Sequence, residues 1–211
     1  MKKLFFIFCA LSLVSCSLRI PMQTNISNQT LLITDNKPIK ADYNLISVIP
    51  NGPIKLVTIQ RNGREYVQEK QFEYASETAF KKMFTNYFEG KYNSFEDNVI
   101  NIKIKLLDLY MIQKNSTSSG MTIMTGNMKY KMVGVAEMSV DISYKGETYT
   151  KTLNIEASEY NESQNTNYGT YSKTNPTMQR SLLLQSTFNR AIIKVDNMVS
   201  QVLGVNKNKA E

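Results

Sequence analysis

The sequence predicts an α+β fold in two layers, an antiparallel β-meander with two helices packed on one face. Three observations carry that expectation. Apolar residues recur at every second position through most of residues 98–157. Two segments, near 76–90 and 176–204, carry apolar residues at helical spacing. Each element has one apolar side only, so both helical stripes are expected to cover the same face of the sheet.

The first element is an address rather than part of the fold. Met1-Lys2-Lys3 precedes an apolar run from Leu4 to Val14. Such a helix rises about 16 Å, roughly half the ~30 Å hydrocarbon core of a bilayer, and is too short to span. A basic start followed by a short apolar stretch is a secretory signal. Its end, Leu13-Val14-Ser15-Cys16, resembles the bacterial lipobox. That resemblance implies cleavage after Ser15 and acylation of Cys16 on its sulfur and its new amino group. The alternative is an ordinary secretory signal with an incidental Cys. One myristoyl-sized chain binds a membrane marginally, whereas two or more anchor stably. Ser17 follows the cysteine, not the Asp that favours inner-membrane retention in enteric-type bacteria, and this resembles an outer-membrane sorting signal. The expectation is a protein lipid-anchored to the bacterial outer membrane, facing the periplasm, without a spanning segment.

Cys9 leaves with the signal. The remaining 196 of 211 residues then hold one Cys, occupied by lipid, so no disulfide supports the fold. The net charge of +7 falls by two, to +5, when Lys2 and Lys3 leave. That modest excess fits proximity to anionic lipid without demanding it.

Residues 1–15 are thus a signal, and the aperiodic polar stretch 16–29 is expected to be a tether. A single domain follows over 30–205, with a polar tail at 206–211. Strands are expected at Thr30–Thr34, Leu45–Ile49 and Ile54–Ile59, with a turn at Pro50-Asn51-Gly52-Pro53. Arg61-Asn62-Gly63-Arg64 reads as a second turn, so Glu65–Phe72 pairs back on Ile54–Ile59. From Ser76 a helix is predicted by Phe80, Met83, Phe84, Tyr87 and Phe88, one face of a 3.6-residue period, with Gly90 as its stop.

The meander comes next. Ile100, Ile102, Ile104 and Leu106 are apolar at even positions, and the parity then switches to Leu107, Leu109 and Met111, predicting a bulge near Leu106-Leu107. Residues 113–120 make a loop. A second strand carries Met128, Tyr130, Met132, Ala136, Met138, Val140, Ile142 and Tyr144 on even positions, with a break near 125–127 and a bulge at Gly134 expected. Lys145-Gly146 is a tight turn, after which Tyr149, Leu153, Ile155 and Ala157 are odd. A two-residue hairpin requires that flip: Ile142 faces Tyr149, Met138 faces Leu153 and Ala136 faces Ile155. Lys151 alone interrupts the apolar face. Residues 161–175 read as a long polar loop. Asn175-Pro176 opens the last helix, whose stripe is Leu184, Phe188, Ala191, Val195, Met198 and Val202, and Gly204 is expected to end it.

This order of elements resembles the YajG-type family of bacterial lipoproteins. The likeness lies in the lipobox, then the helix Ala79–Phe88, a strand Val99–Leu109, the hairpin Lys129–Ala157 and a terminal amphipathic helix. The loops 113–127 and 161–175 are longer here. A looser likeness is to envelope lipoproteins that assist lipopolysaccharide or phospholipid transport, and it implies an acyl-chain groove between helix and sheet.

The inventory argues against catalysis. There is no His in the chain. The usual base near neutral pH, the commonest metal ligand and the Ser-His or Cys-His nucleophile pairs are therefore missing. No phosphate loop or calcium loop is present, so no catalytic residue, metal or cofactor is expected. One constellation stands out. If the first meander hairpin turns around residue 117, Lys105 opposes Lys129 and Lys103 opposes Lys131. Like charges directly opposed are destabilising, which suggests an anion-binding patch or a solvated surface. The function expected is non-enzymatic: a lipid-anchored binding or scaffold domain with an envelope protein or anionic lipid as partner and no nucleic acid. The alternative is an accessory lipoprotein of lipopolysaccharide or phospholipid transport.

Overall fold

The two longest alternating runs form the two longest strands. The computed structural model describes residues 19–26, 39–59, 63–93, 99–115, 127–157, 160–165 and 176–208. Its strands are β1 (Arg19–Ile20), β2 (Lys40–Ser47), β3 (Gly52–Ile59), β4 (Glu65–Tyr74), β5 (Val99–Asn115), β6 (Asn127–Tyr144), β7 (Glu147–Glu156) and β8 (Tyr160–Asn165). The helices are α1 (Ser76–Lys91) and α2 (Pro176–Asn208). Strands β5 and β6, of 17 and 18 residues, make the centre of a single sheet. The free edge of β5 carries β2 along its first half and β3 along its second. The far edge of β6 carries β8 and then β7 in the same way.

The α+β class and the two helices on the sheet are as expected, but the sheet is mixed. Both β2 and β3 run parallel to β5, and β1 runs parallel to β4. The cause lies in the connection. Strand β4 turns back along β3, α1 carries the chain on in that direction from Asn51 to the start of β2 at Ala41, and β5 then reverses once more, so it runs parallel to β2 and β3. Antiparallel pairing is kept by β3–β4, β5–β6–β7 and β6–β8.

The bulge lies where the parity switches. Leu106 faces Met138 and Asp108 faces Glu137, so Leu107 is the extra residue. Ile100, Ile102, Ile104, Leu106, Leu109 and Met111 all stay buried on the face beneath the helices. The hairpin at Lys145-Gly146 has the expected register, with Ile142 on Tyr149, Met138 on Leu153 and Ala136 on Ile155. Gly134 is not a bulge, because β5 and β6 pair without a shift on either side of it. A Cβ there would overlap the Thr187 hydroxyl and lie 3.2 Å from Leu183 Cγ, so the glycine admits α2 close to the sheet.

The β5–β6 register differs from the expected one. Ile104 faces Val140 and Ile102 faces Ile142, ten residues farther along β6 than a turn around residue 117 would place them. An even shift keeps every dry residue on the dry face, so the apolar pattern alone cannot choose between the two.

Both helical stripes are buried, Met198 only in part. Phe80, Met83, Phe84, Tyr87 and Phe88 of α1 meet Phe188, Ile192, Val195 and Val199 of α2 and the dry face of the sheet in one core. Phe80 and Phe188 have ring centroids 6.0 Å apart, and Phe88 stacks on Tyr43 of β2 at 5.4 Å. Side chains from both helices and from the dry face of the sheet thus pack against one another between the two layers. Helix α1 runs one residue past Gly90, and α2 runs past Gly204 to Asn208; a glycine inside a helix costs only about 1 kcal/mol, and packing overrides it. Thr78 N–H, an orphan of the first turn of α1, is met by Asn51 Oδ1 at 3.1 Å across the chain.

Three expectations about polar segments change. Of the strand expected at Leu45–Ile49, Leu45–Ser47 is the end of β2 and residues 48–49 lie beyond it. Part of the 161–175 loop is β8, paired with residues 127–132 of β6. The stretch expected as a free tether is docked from residue 19 to 26. Arg19 and Ile20 pair with Glu73 and Tyr74, Ile20 and Met22 are buried, Ser181 Oγ donates to Pro21 O at 3.3 Å and Gln185 Nε2 donates to Asn25 O at 2.7 Å. The expected strand Thr30–Thr34 and the Asn175 cap lie outside the described residues.

Candidate binding surface

The register that separates β5 and β6 also divides the four lysines. Lys103 faces Asp141 and Lys105 faces Ser139, not Lys131 and Lys129. Lys131 is opposite Lys114, and Lys129 is opposite Ser163 of β8. Lys103 and Lys114 stand on one strand about 35 Å apart, so no common anion joins the two pairs. The pairing is centred well beyond residue 117, with Asn115 still opposite Tyr130. Cys16 and Ser15 lie outside the described residues.

Around Lys103 the strands assemble a different surface. Rows run across the outer face, the one turned away from the helices. Asp42, Asn101, Ser143 and Thr148 form one, and Asn44, Lys103, Asp141 and Thr150 the next. Together they line an open depression of about 400 Å³. Ser143 and Thr148 hydroxyls are 2.9 Å apart. The row pattern follows from alternation: every residue between two dry-face residues is turned outward. Hydroxyls, amides, two carboxylates and one ammonium can hydrogen-bond a polar partner. A second groove, of about 460 Å³, lies between β7 and α2. Here Arg190 donates to Glu156 O at 2.7 Å and Lys194 Nζ donates to Asn154 O at 3.2 Å, closing part of the open edge of β7.

The densest chemistry is sealed in the core. Lys91 Nζ of α1 lies 2.8 Å from Asp196 Oδ2 of α2, and the two side chains are 1 % and 2 % exposed. Tyr92 donates to Asp196 Oδ1 at 2.5 Å, and Lys91 donates to Tyr87 OH at 3.2 Å. Burial, with the Asp196 carboxylate beside them, holds both phenols far above the ordinary tyrosine range. The cluster joins the two helices and is closed off from solvent. It was missed in the sequence, although a signal exists: Lys91 continues the α1 stripe after Phe84, Tyr87 and Phe88, and Asp196 lies on the α2 stripe beside Val195 and Val199. Among the described residues, no group of three or more His, Cys, Asp or Glu could hold a metal. No helix among them is long and apolar enough to cross a membrane.

No family model matches this chain, and no curated protein does. Solved structures do. The crystal structure of protein XCC0632 from Xanthomonas campestris, a DUF330 protein, aligns with a TM-score of 0.50 at 8% identity, over 90% of this chain and 99% of that one. A crystal structure described only as an uncharacterized protein aligns with a TM-score of 0.40 at 7% identity, over 87% and 99%. The first shows a shared fold. Neither is described as a YajG-type lipoprotein.

Proposed function

We propose that this chain is a non-enzymatic, lipid-anchored envelope protein that faces the periplasm from the outer membrane and binds a partner through its polar outer sheet face. The observation that carries this reading is the sequence Leu13-Val14-Ser15-Cys16 placed three residues before the first strand. A signal of that form delivers an acylated Cys directly to the start of a folded body. The absence of His and the burial of the Lys91–Asp196 cluster speak for contact rather than catalysis. The hydroxyl- and amide-rich rows around Lys103 and Asp141 suit a polar protein surface or headgroup.

The test is metabolic labelling with palmitate. The mature protein should carry label and sediment with outer membranes, and Cys16→Ala should lose both properties. An unlabelled wild-type protein recovered in the soluble fraction would refute the anchor.

A further inference from the structure

Ile20, Pro21 and Met22 line a groove of about 320 Å³ with Met178 and Leu182 from the first turns of α2. Met178 is 53 % exposed and stands beside exposed Pro21. The chain also enters the fold beside this groove, through β1. Only Ser17 and Leu18 lie between Cys16 and Arg19, and three Cα-to-Cα steps let an anchored Cys16 stand no more than about 11 Å from β1. The segment that follows is pinned by its pairing with β4 and by hydrogen bonds from Ser181 and Gln185.

We propose that the body rests directly on the leaflet that holds its acyl chains, with the groove end, Pro21, Met178 and Leu182, set into the headgroup boundary. This rests on the lipid-anchor reading. A flexible tether would let the domain turn freely, but the docked residues 19–26 leave no such length. Helix α2 runs in the same direction as β6, since Leu183 and Thr187 lie at Gly134 while Lys194 reaches Asn154, opposite Glu137. The turn Lys145-Gly146 lies twelve residues beyond Gly134, about 40 Å farther from the groove end. Seated in this way, the molecule holds the polar rows of Ser143 and Thr148 out from the membrane.

The chain contains no Trp, so one introduced indole reports its own surroundings. Met178→Trp and Thr148→Trp would each be purified from cells in full-length processed form, with the acyl mass on Cys16 verified. Both would be placed in vesicles of phosphatidylethanolamine and phosphatidylglycerol containing a phospholipid brominated on its acyl chains. Trp emission should be largely lost for the 178 variant and retained for the 148 variant. A ~20-residue Gly/Ser spacer inserted after Ser17, with a root-mean-square reach of about 25 Å, should restore the emission at 178. Equal emission from both variants on acylated protein, or no effect of the spacer, overturns the docking alone. Absence of the acyl mass overturns the anchor reading and the docking with it.

Discussion

Lys91 and Asp196 show what a single pair decides. Two charges withdrawn from water at 1–2 % exposure persist only because each satisfies the other and the two phenols complete the network. Lys91→Met leaves a buried carboxylate without its ammonium and should cost about 3–5 kcal/mol in urea unfolding, while Lys91→Met with Asp196→Leu should cost less than either single change. The same cluster sets an alkaline limit. Tyr87 and Tyr92 keep their protons in the folded state well above the unfolded value of ~10, so their contribution is complete below pH ~10 and is lost as pH rises beyond it. The melting temperature should therefore fall with pH above ~10, less steeply in Tyr92→Phe. Gly134 makes the opposite case, a position defined by what it lacks. Gly134→Ala should destabilise by about 1–3 kcal/mol, and Thr187→Ala should recover part of the loss in a double-mutant cycle.

At the scale of elements, β5 and its bulge were legible because parity is a strict code: six buried residues change from even to odd across Leu107, and only an extra residue can keep them on one face. The helices were legible from their stripes, but their ends were not, because glycine preference is weak against packing. Strand β7 lies at an edge with Val140 opposite Lys151, whose exposed ammonium is on the otherwise apolar face. A charge placed there discourages pairing with a second copy. Lys151→Val should raise self-association, read by sedimentation velocity, without lowering the melting temperature. Arg190 and Lys194 guard the other end of the same edge by occupying its carbonyls.

For the whole molecule, the N-terminal segment acts as part of the body. Ile20 and Met22 are each 7% exposed, and burial of a large apolar side chain contributes about 1.5–3 kcal/mol. A chain beginning at residue 27 should therefore lose several kcal/mol against one beginning at residue 16, measured by urea midpoint; equal midpoints would mean that the segment is a tether after all. The sequence by itself determined the two-layer class, the dry face of each element, the Lys145-Gly146 hairpin register and the bulge at Leu107, because all of these follow from local periodicity and turn geometry. Tertiary structure alone decided the parallel pairing of β2 and β3 with β5, the β5–β6 register that separates Lys103 from Lys131, the joining of Lys91 to Asp196 across 105 residues, and the docking of residues 19–26. The physical reason is common to all four. Each depends on which distant segments meet, and a period of two or 3.6 residues is unchanged when a whole strand or helix slides to a different partner.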